Sequence, residues 1–333
     1  MPDTGTLANV RFAPRRLTHA NIFVGDLETA VKFYTRVGGV EEVRREPGIG
    51  AAFMTNGSTH HDLGLMQCGG GKRVGLGGHV QVSSGRGAQP GLNHIGWEVD
   101  NEAVLVAALQ RAADAGVDVH RTADHQLSHS VYIFDPDGHL HEFYADTIKD
   151  WRDIFNPTRE DLITSHWDPK ARPPMEARYW DPSPTIKEVP GAVFHPRCIA
   201  RSAIVAKNFE AMKSFFVGIA GLKPVETGAK SALLLRAAAG ADAFDLALFD
   251  AGNGLEPGIH HFSFDVPSEA KLASAEQRLR SAGVEIELIV DRPHKRSIFV
   301  RDPDGLRLEY RAARKGNLGD ISKEAPALRP YLV

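Results

Sequence analysis

Cysteine is nearly missing: the 333 residues contain two, Cys68 and Cys198. Two thiols cannot build a disulfide framework, so the fold is expected to hold by packing alone and suits a reducing compartment. Long hydrophobic runs are missing too. None approaches the ~20 residues of a helical membrane span. An excess of either charge is also absent. Lys and Arg number 39 against 42 Asp and Glu, a net charge of −3, which gives no support to nucleic acid or an anionic membrane as partner. The opening M-P-D-T-G-T-L-A-N-V-R-F lacks a basic stretch followed by an apolar one. No secretory signal is read there, and the cytoplasm is the expected location. What is present is ordinary: 42% hydrophobic and 24% charged residues, the balance of a soluble globular chain long enough for two domains.

The chain writes one phrase twice. V-Y-I-F-D-P-D-G-H-L-H-E-F-Y runs over 131–144, and I-F-V-R-D-P-D-G-L-R-L-E-Y over 298–310. Each D-P-D-G reads as a turn, with Pro setting φ and Gly taking an unusual one. Four segments around these phrases share an order of strand, helix and three short strands. They open at L-T-H-A-N-I-F-V (17–24), L-N-H-I-G-W-E-V (92–99), C-I-A-R-S-A-I-V (198–205) and G-I-H-H-F-S-F-D-V (258–266). Asp26, Asn208 and Ser268 are expected helix N-caps, a helix begins near Asn101, and Gly38-Gly39, Gly116 and Gly283 are stops. The division expected is 1–146, a connector over 147–195 and 196–333. The connector is Pro-rich and aperiodic, and its Trp151, Trp167 and Trp180 are read as packing anchors. Gly69–Gly91 reads as a flexible loop or a hairpin.

Polar chemistry is concentrated in the first half. His19 and His94 each stand third in an opening strand, and Glu142 follows His94 by 48 residues. If the first two units pair about a pseudo-twofold axis, two imidazoles and one carboxylate meet in one cavity. That set leaves metal positions open and suits non-haem Fe(II) oxygen chemistry. In the second half His261 and Glu309 recur, again 48 apart, but the place of His19 holds Arg201 or Ser202. H-H-D-L-G-L (60–65) becomes A-F-D-L-A-L (243–248). Tyr132 becomes Phe299, and His125 becomes Arg292. The second copy keeps the apolar pattern and loses the groups that move protons.

The run H-Q-L-S-H-S-V-Y-I-F-D-P-D-G-H-L-H-E (125–142) resembles the signature of the type I extradiol ring-cleavage dioxygenases, members of the vicinal oxygen chelate superfamily. The resemblance implies an α+β fold of four βαβββ modules paired into two domains of that type. It implies Fe(II), with Mn(II) served by the same ligands, held by His19, His94 and Glu142. The partners implied are a small aromatic diol and O2, and the expected assembly is a homo-oligomer. Tyr132 would donate a hydrogen bond to an oxygen on the metal, His61 would shuttle a proton, and His125 would be a second acid-base or orienting group. His60 is expected to face away, since adjacent strand residues alternate. His129, His139 and His141 receive no role. Two-domain members usually carry iron in the C-terminal domain, whereas this chain is expected to carry it in the N-terminal one.

Three other readings use the same residues. A glyoxalase-type isomerase or epimerase would need a second carboxylate ligand, for which Asp62 is the only local acid; Asp245 matches it in the depleted half, so Asp62 reads as structural. A hydroquinone-type dioxygenase would pair His19 with His261 and Glu309 across the halves. A non-enzymatic small-molecule-binding protein would need no metal set.

Overall fold

The computed structural model describes residues 9–155, 163–226, 231–239 and 243–333. The first elements among the described residues are β1 (Arg16–Val24), a short helix α1 (Leu27–Phe33) and a π-helical turn (Tyr34–Gly38). Then come β2 (Glu41–Glu46), β3 (Ala51–Thr55) and β4 (Leu63–Gln67). A small hairpin follows, β5 (Arg73–Val74) and β6 (Val80–Val82), which settles the Gly-rich stretch as a hairpin. The second unit is β7 (Gly91–Glu98), α2 (Glu102–Asp114), β8 (Arg121–Asp124), β9 (Ser128–Phe134) and β10 (Leu140–Asp146).

The second half repeats this order: β11 (Cys198–Ala206), α3 (Phe209–Ser214), β12 (Lys223–Val225), β13 (Leu233–Arg236) and β14 (Leu246–Asp250). It continues with β15 (Gly258–Asp265), α4 (Glu269–Ser281), β16 (Leu288–Arg292), β17 (Lys295–Arg301) and β18 (Arg307–Ala313). Two eight-stranded sheets result, ordered β2-β3-β4-β1-β7-β10-β9-β8 and β12-β13-β14-β11-β15-β18-β17-β16. The orders coincide strand for strand, so the repeat legible in the sequence is a repeat of topology.

Alternation along the central strands sorts side chains between a core and a cavity. On β1, Ala20, Ile22 and Val24 enter the main core, as do Ile95 and Trp97 on β7 and Phe143 and Ala145 on β10. The intervening Asn21, His94 and Glu142 line a cavity on the other face. Caps hold where they meet no competitor: Asp26 accepts from Thr29 N at 2.8 Å and Asn101 from Val104 N at 2.9 Å. Asn208 does not cap α3. Its backbone N–H and its side-chain amide both donate to Asp137 Oδ1, at 3.1 and 2.9 Å, and this carboxylate from the first D-P-D-G turn outcompetes the helix.

That contact belongs to a set of reciprocal staples. Asp304, in the second turn, accepts from Gly25 N, and Asp302 from the Tyr34 hydroxyl, at 2.9 Å each. Asp62 accepts from Thr55 Oγ1, Ser58 Oγ and, across the halves, Ile199 N at 2.9 Å. Its counterpart Asp245 accepts from Ala237 N and from Leu17 N in the first half. Asp62 is therefore a structural acid, fully occupied by the fold. Asp62→Asn should lower stability by ~1–3 kcal/mol, the cost of poorly satisfied buried groups. Metal content per folded chain should stay at the parent value, and thermal unfolding with metal analysis measures both.

Candidate metal centre and its cavity

Three buried side chains converge where β1, β7 and β10 lie side by side. His19 Nε2 stands 2.9 Å from Glu142 Oε2, and His94 Nε2 stands 3.0 Å from the same oxygen. The strand register produces this meeting. Glu142 pairs with Gly96, and Gly96 with His19. His94 lies two residues before Gly96 on the same face of β7. Burial alone would push the Glu142 carboxyl up, but the His19 and His94 imidazoles beside it outweigh burial and hold it well below the usual carboxylate range. Burial drives the His94 pKa down to about 4. A neutral imidazole beside an ionised carboxylate is the protonation state of a metal ligand set. His94 Nε2 is buried without a hydrogen-bond partner of acceptable geometry. One donor atom from each of His19, His94 and Glu142 lies within 4.8 Å of the others. The residues thus fit a divalent ion bound by two nitrogens and one carboxylate.

Gly96 makes room for this set. A Cβ there would sit 2.0–2.4 Å from three atoms of the His19 ring. Its counterpart is Ser263, which pairs with Arg201 as Gly96 pairs with His19. The register therefore identifies Arg201, and not Ser202, as the residue in the place of His19. Gly64 plays the same part for Asn21: a Cβ would meet the Asn21 amide at 2.2–2.6 Å. The corresponding pair in the second half is Ala247 and Ala203. Asn21 escaped the sequence reading, although the exchange of Gly and Asn for Ala and Ala across the halves is a signal that marks it.

His60 and His61 precede β4 and lie outside any strand. Strand alternation therefore does not apply to them, and both line the cavity, contrary to the expectation that His60 faces away. The His61 ring packs 4.2 Å from that of His19, and its Nε2 stands 3.0 Å from Asn21 Oδ1. An acceptor at that position requires Nε2–H and leaves the lone pair on Nδ1. Desolvation first, then His19 and His60, hold His61 well below the usual imidazole range. Its resting state is therefore neutral.

On the opposite wall, Tyr132 pairs with Glu142 across β9 and β10. Its hydroxyl is 3.0 Å from His125 Nε2, while His125 Nδ1 faces Thr164 Oγ1 at 3.2 Å. Burial and then Glu142 keep the phenol well above its usual pKa, so it stays a donor. The Arg121 guanidinium lies 4.3 Å from the Tyr132 ring centroid. Thr164 and Phe155 bring the 147–195 segment into the cavity wall. Trp167 stacks on His129 at 4.5 Å, and Trp180 Nε1 donates to Asp100 O at 3.1 Å, which makes both packing anchors. His141 accepts from Trp97 Nε1 and its Nε2 faces Asp135 at 3.0 Å, away from the cavity. His139 is also held by Asp135, and His129 by Glu102 at 2.6 Å.

In the second half the corresponding place is built for structure. Lys295 Nζ donates to Glu309 Oε1 at 2.6 Å, and Ser263 Oγ donates to Glu309 Oε2. His261 Nε2 is 3.6 Å from Glu309. Arg201 lies 4.1 Å over the Phe244 ring, the counterparts of His19 and His61. Since His19 meets Glu142 and Glu309 meets Lys295, the fold does not build a set that joins His19 to His261 and Glu309.

Gly96→Ala gives a direct check on this packing. The added methyl should displace the His19 ring and reduce metal retention at least ~10-fold, in line with losses seen when a ligand's support is disturbed. The metal-free melting temperature should fall only a few degrees, because Ser263 shows that the strand accepts a side chain there. Metal analysis after dialysis, with thermal unfolding of the apo-protein, reads both.

The Glyoxalase/Bleomycin resistance protein/Dioxygenase superfamily matches residues 16–143 and 199–310. A curated relative, the trivalent organoarsenical cleaving enzyme of Bacillus sp. (strain MD1), is 24% identical over 134 residues, 39% of this chain and 72% of that protein. Among solved structures, the Mn(II)-bound glyoxalase from Novosphingobium aromaticivorans is similar at a TM-score of 0.64 and 16% identity, over 90% of this chain and 82% of that one. The 2,3-dioxygenase LapB from Pseudomonas sp. KL28 is similar at a TM-score of 0.63 and 18% identity, over 91% and 94%. At these identities the structural likeness is one of fold. The family match spans both halves, each with the same strand order, and the chain belongs to the Glyoxalase/Bleomycin resistance protein/Dioxygenase superfamily.

Proposed function

We propose that this protein is an extradiol-type dioxygenase that opens the ring of a catechol-type aromatic with Fe(II) and O2. The observation that carries the reading is the company the His19–His94–Glu142 set keeps. One cavity holds a set with a single carboxylate, a neutral His61 with a free lone pair and a Tyr132–His125 couple. An isomerase of the glyoxalase type would call for a second carboxylate at the metal, and Asp62 is spent on Thr55, Ser58 and Ile199.

The metal, when bound, supplies Lewis acidity and a common template for the diol and O2. The protein groups do the rest. Asn21 fixes the His61 tautomer, so Nδ1 accepts a proton from a diol hydroxyl and returns it later. His125 Nε2–H donates to the Tyr132 oxygen, which leaves the phenolic proton for a substrate oxygen. Phe53, Phe155 and Leu127 supply an apolar wall for a ring, and their burial strengthens every polar contact inside the cavity. Cys68 and Cys198 do not line this cavity. An arsenical substrate, as in the curated relative's name, would find there none of the thiolates that bind As(III) in softer sites.

The test is an anaerobic Fe(II) loading followed by O2 and a panel of catechols, with one aryl arsenical as a contrast. A coloured ring-opened product from at least one catechol is expected. Tyr132→Phe should lower kcat/KM per iron ~10- to 150-fold, the worth of a hydrogen bond to a charged oxygen. His61→Phe, the residue already present at Phe244, should lower kcat ~10²-fold or more. Full turnover per iron in both variants, or release of arsenic without ring opening of any diol, would overturn the reading.

A further inference from the structure

The cavity contains more imidazole than the proposed reaction uses. We propose that His19, His60 and His61 form a second, nitrogen-only metal position that selects Zn2+ and excludes occupation of the His19–His94–Glu142 set.

The donors are assembled already. One ring nitrogen from each of the three residues lies within 4.8 Å of the others. The ring centroids of His19 and His61 are 4.2 Å apart, those of His60 and His61 4.6 Å, and those of His19 and His60 5.7 Å. All three are buried, at 0%, 4% and 6% exposure. Zinc binds imidazole nitrogen at ~2.0–2.1 Å, so tetrahedral donors stand ~3.3 Å apart. Ring swings of under about 1 Å close the remaining gap.

Two of these rings carry a nitrogen that is otherwise unexplained. His60 Nδ1 and His61 Nδ1 are both buried with no hydrogen-bond partner. Burying a polar atom without a partner opposes folding, and native proteins rarely leave one without a reason. The fold itself does not require these rings. At the matching places the second half has Ala243 and Phe244, before a strand of the same register. The pair His60-His61 is therefore an addition to the scaffold.

The chemistry of the set decides which ion it takes. Three neutral imidazoles with no carboxylate are a common ligand set for zinc, with water or an anion in the fourth place. For nitrogen donors, divalent affinity rises from Mn2+ and Fe2+ toward the end of the series, while a carboxylate makes a site more hospitable to the earlier, harder ions. Exclusivity follows from His19. A neutral imidazole has one lone pair, so His19 serves one ion at a time. Zinc there also takes the Nδ1 of His61. Inhibition of ring cleavage by Zn2+ is a consequence that rests on the function proposed above, whereas the metal position itself does not.

The test uses Zn2+ alone and Fe(II) alone in anaerobic equilibrium dialysis of the full chain. The proteins are the parent, His94→Ala, His60→Ala and the double variant. His94→Ala should lose Fe(II) yet keep Zn2+ within ~10-fold of the parent affinity. His60→Ala should keep Fe(II). In the His94→Ala background it should weaken Zn2+ at least ~10²-fold, the upper range for disturbing a metal ligand's surroundings. His60→Asn, closer in volume and polarity, is carried alongside and should give the same loss. Substituted Co2+ adds a coordination readout: His94→Ala should show the intense visible band of four-coordinate cobalt, and the double variant should lose it. Zn2+ lost together with Fe(II) in His94→Ala overturns the proposal. So does Zn2+ held equally with and without His60. A protein that shows the expected metal pattern but opens no diol leaves the second position standing and removes the ring-cleavage reading.

Discussion

A carboxylate buried in the middle of a sheet must be neutralised where it stands, and the chain solves this twice in different ways. Glu142 and Glu309 occupy matched places and are 4% and 1% exposed. An unpaired ion at such depth costs several kcal/mol. In the first half two imidazoles face the carboxylate, a set that a bound cation would complete with positive charge. In the second half Lys295 supplies it from within the protein. Burial lowers the Lys295 pKa to about 8, against the attraction of Glu309. The ammonium neutralises Glu309 with no added ion, and Ser128 is found in its place in the other copy.

The rest of the second half is consistent with that substitution. Ser263 occupies the space that Gly96 keeps open for His19, and Arg201 spreads over Phe244 where His19 lies beside His61. Tyr331, Leu332 and Val333 pack with Phe299, Phe244 and Leu234, so the C-terminal residues cover part of the region matching the first-half cavity, while Arg201, Phe244 and His294 line a pocket beside it. The two halves remain bound by the reciprocal staples of Asp62, Asp245, Asp137 and Asp304. A duplicated scaffold can thus divide its labour, since one copy's stability does not depend on the chemistry of the other.

Much of this was legible in the sequence. The repeated D-P-D-G phrase and the opening strands fixed the module order, because alternating and periodic patterns are local. The spacing of His19, His94 and Glu142 against their counterparts singled out the residues that the fold brings together. What escaped depends on contacts remote in sequence. Asn208 looks like a cap until Asp137 is placed beside it. His60 looks like a strand residue, although it lies outside β4. Nothing local to Lys295 tells that its ammonium reaches Glu309. Asn21 and Thr164 acquire meaning only from His61 and His125, which the fold brings to them.

The central claim is that one half carries the metal and the other replaces it with lysine. Metal stoichiometry in two matched variants tests this most directly. Each removes one of the matched histidines, His94→Ala on β7 in the first half and His261→Ala on β15 in the second. After anaerobic Fe(II) loading and dialysis, the account predicts one iron per chain in the parent, one in His261→Ala and none in His94→Ala. Iron retained by His94→Ala and lost from His261→Ala would contradict it.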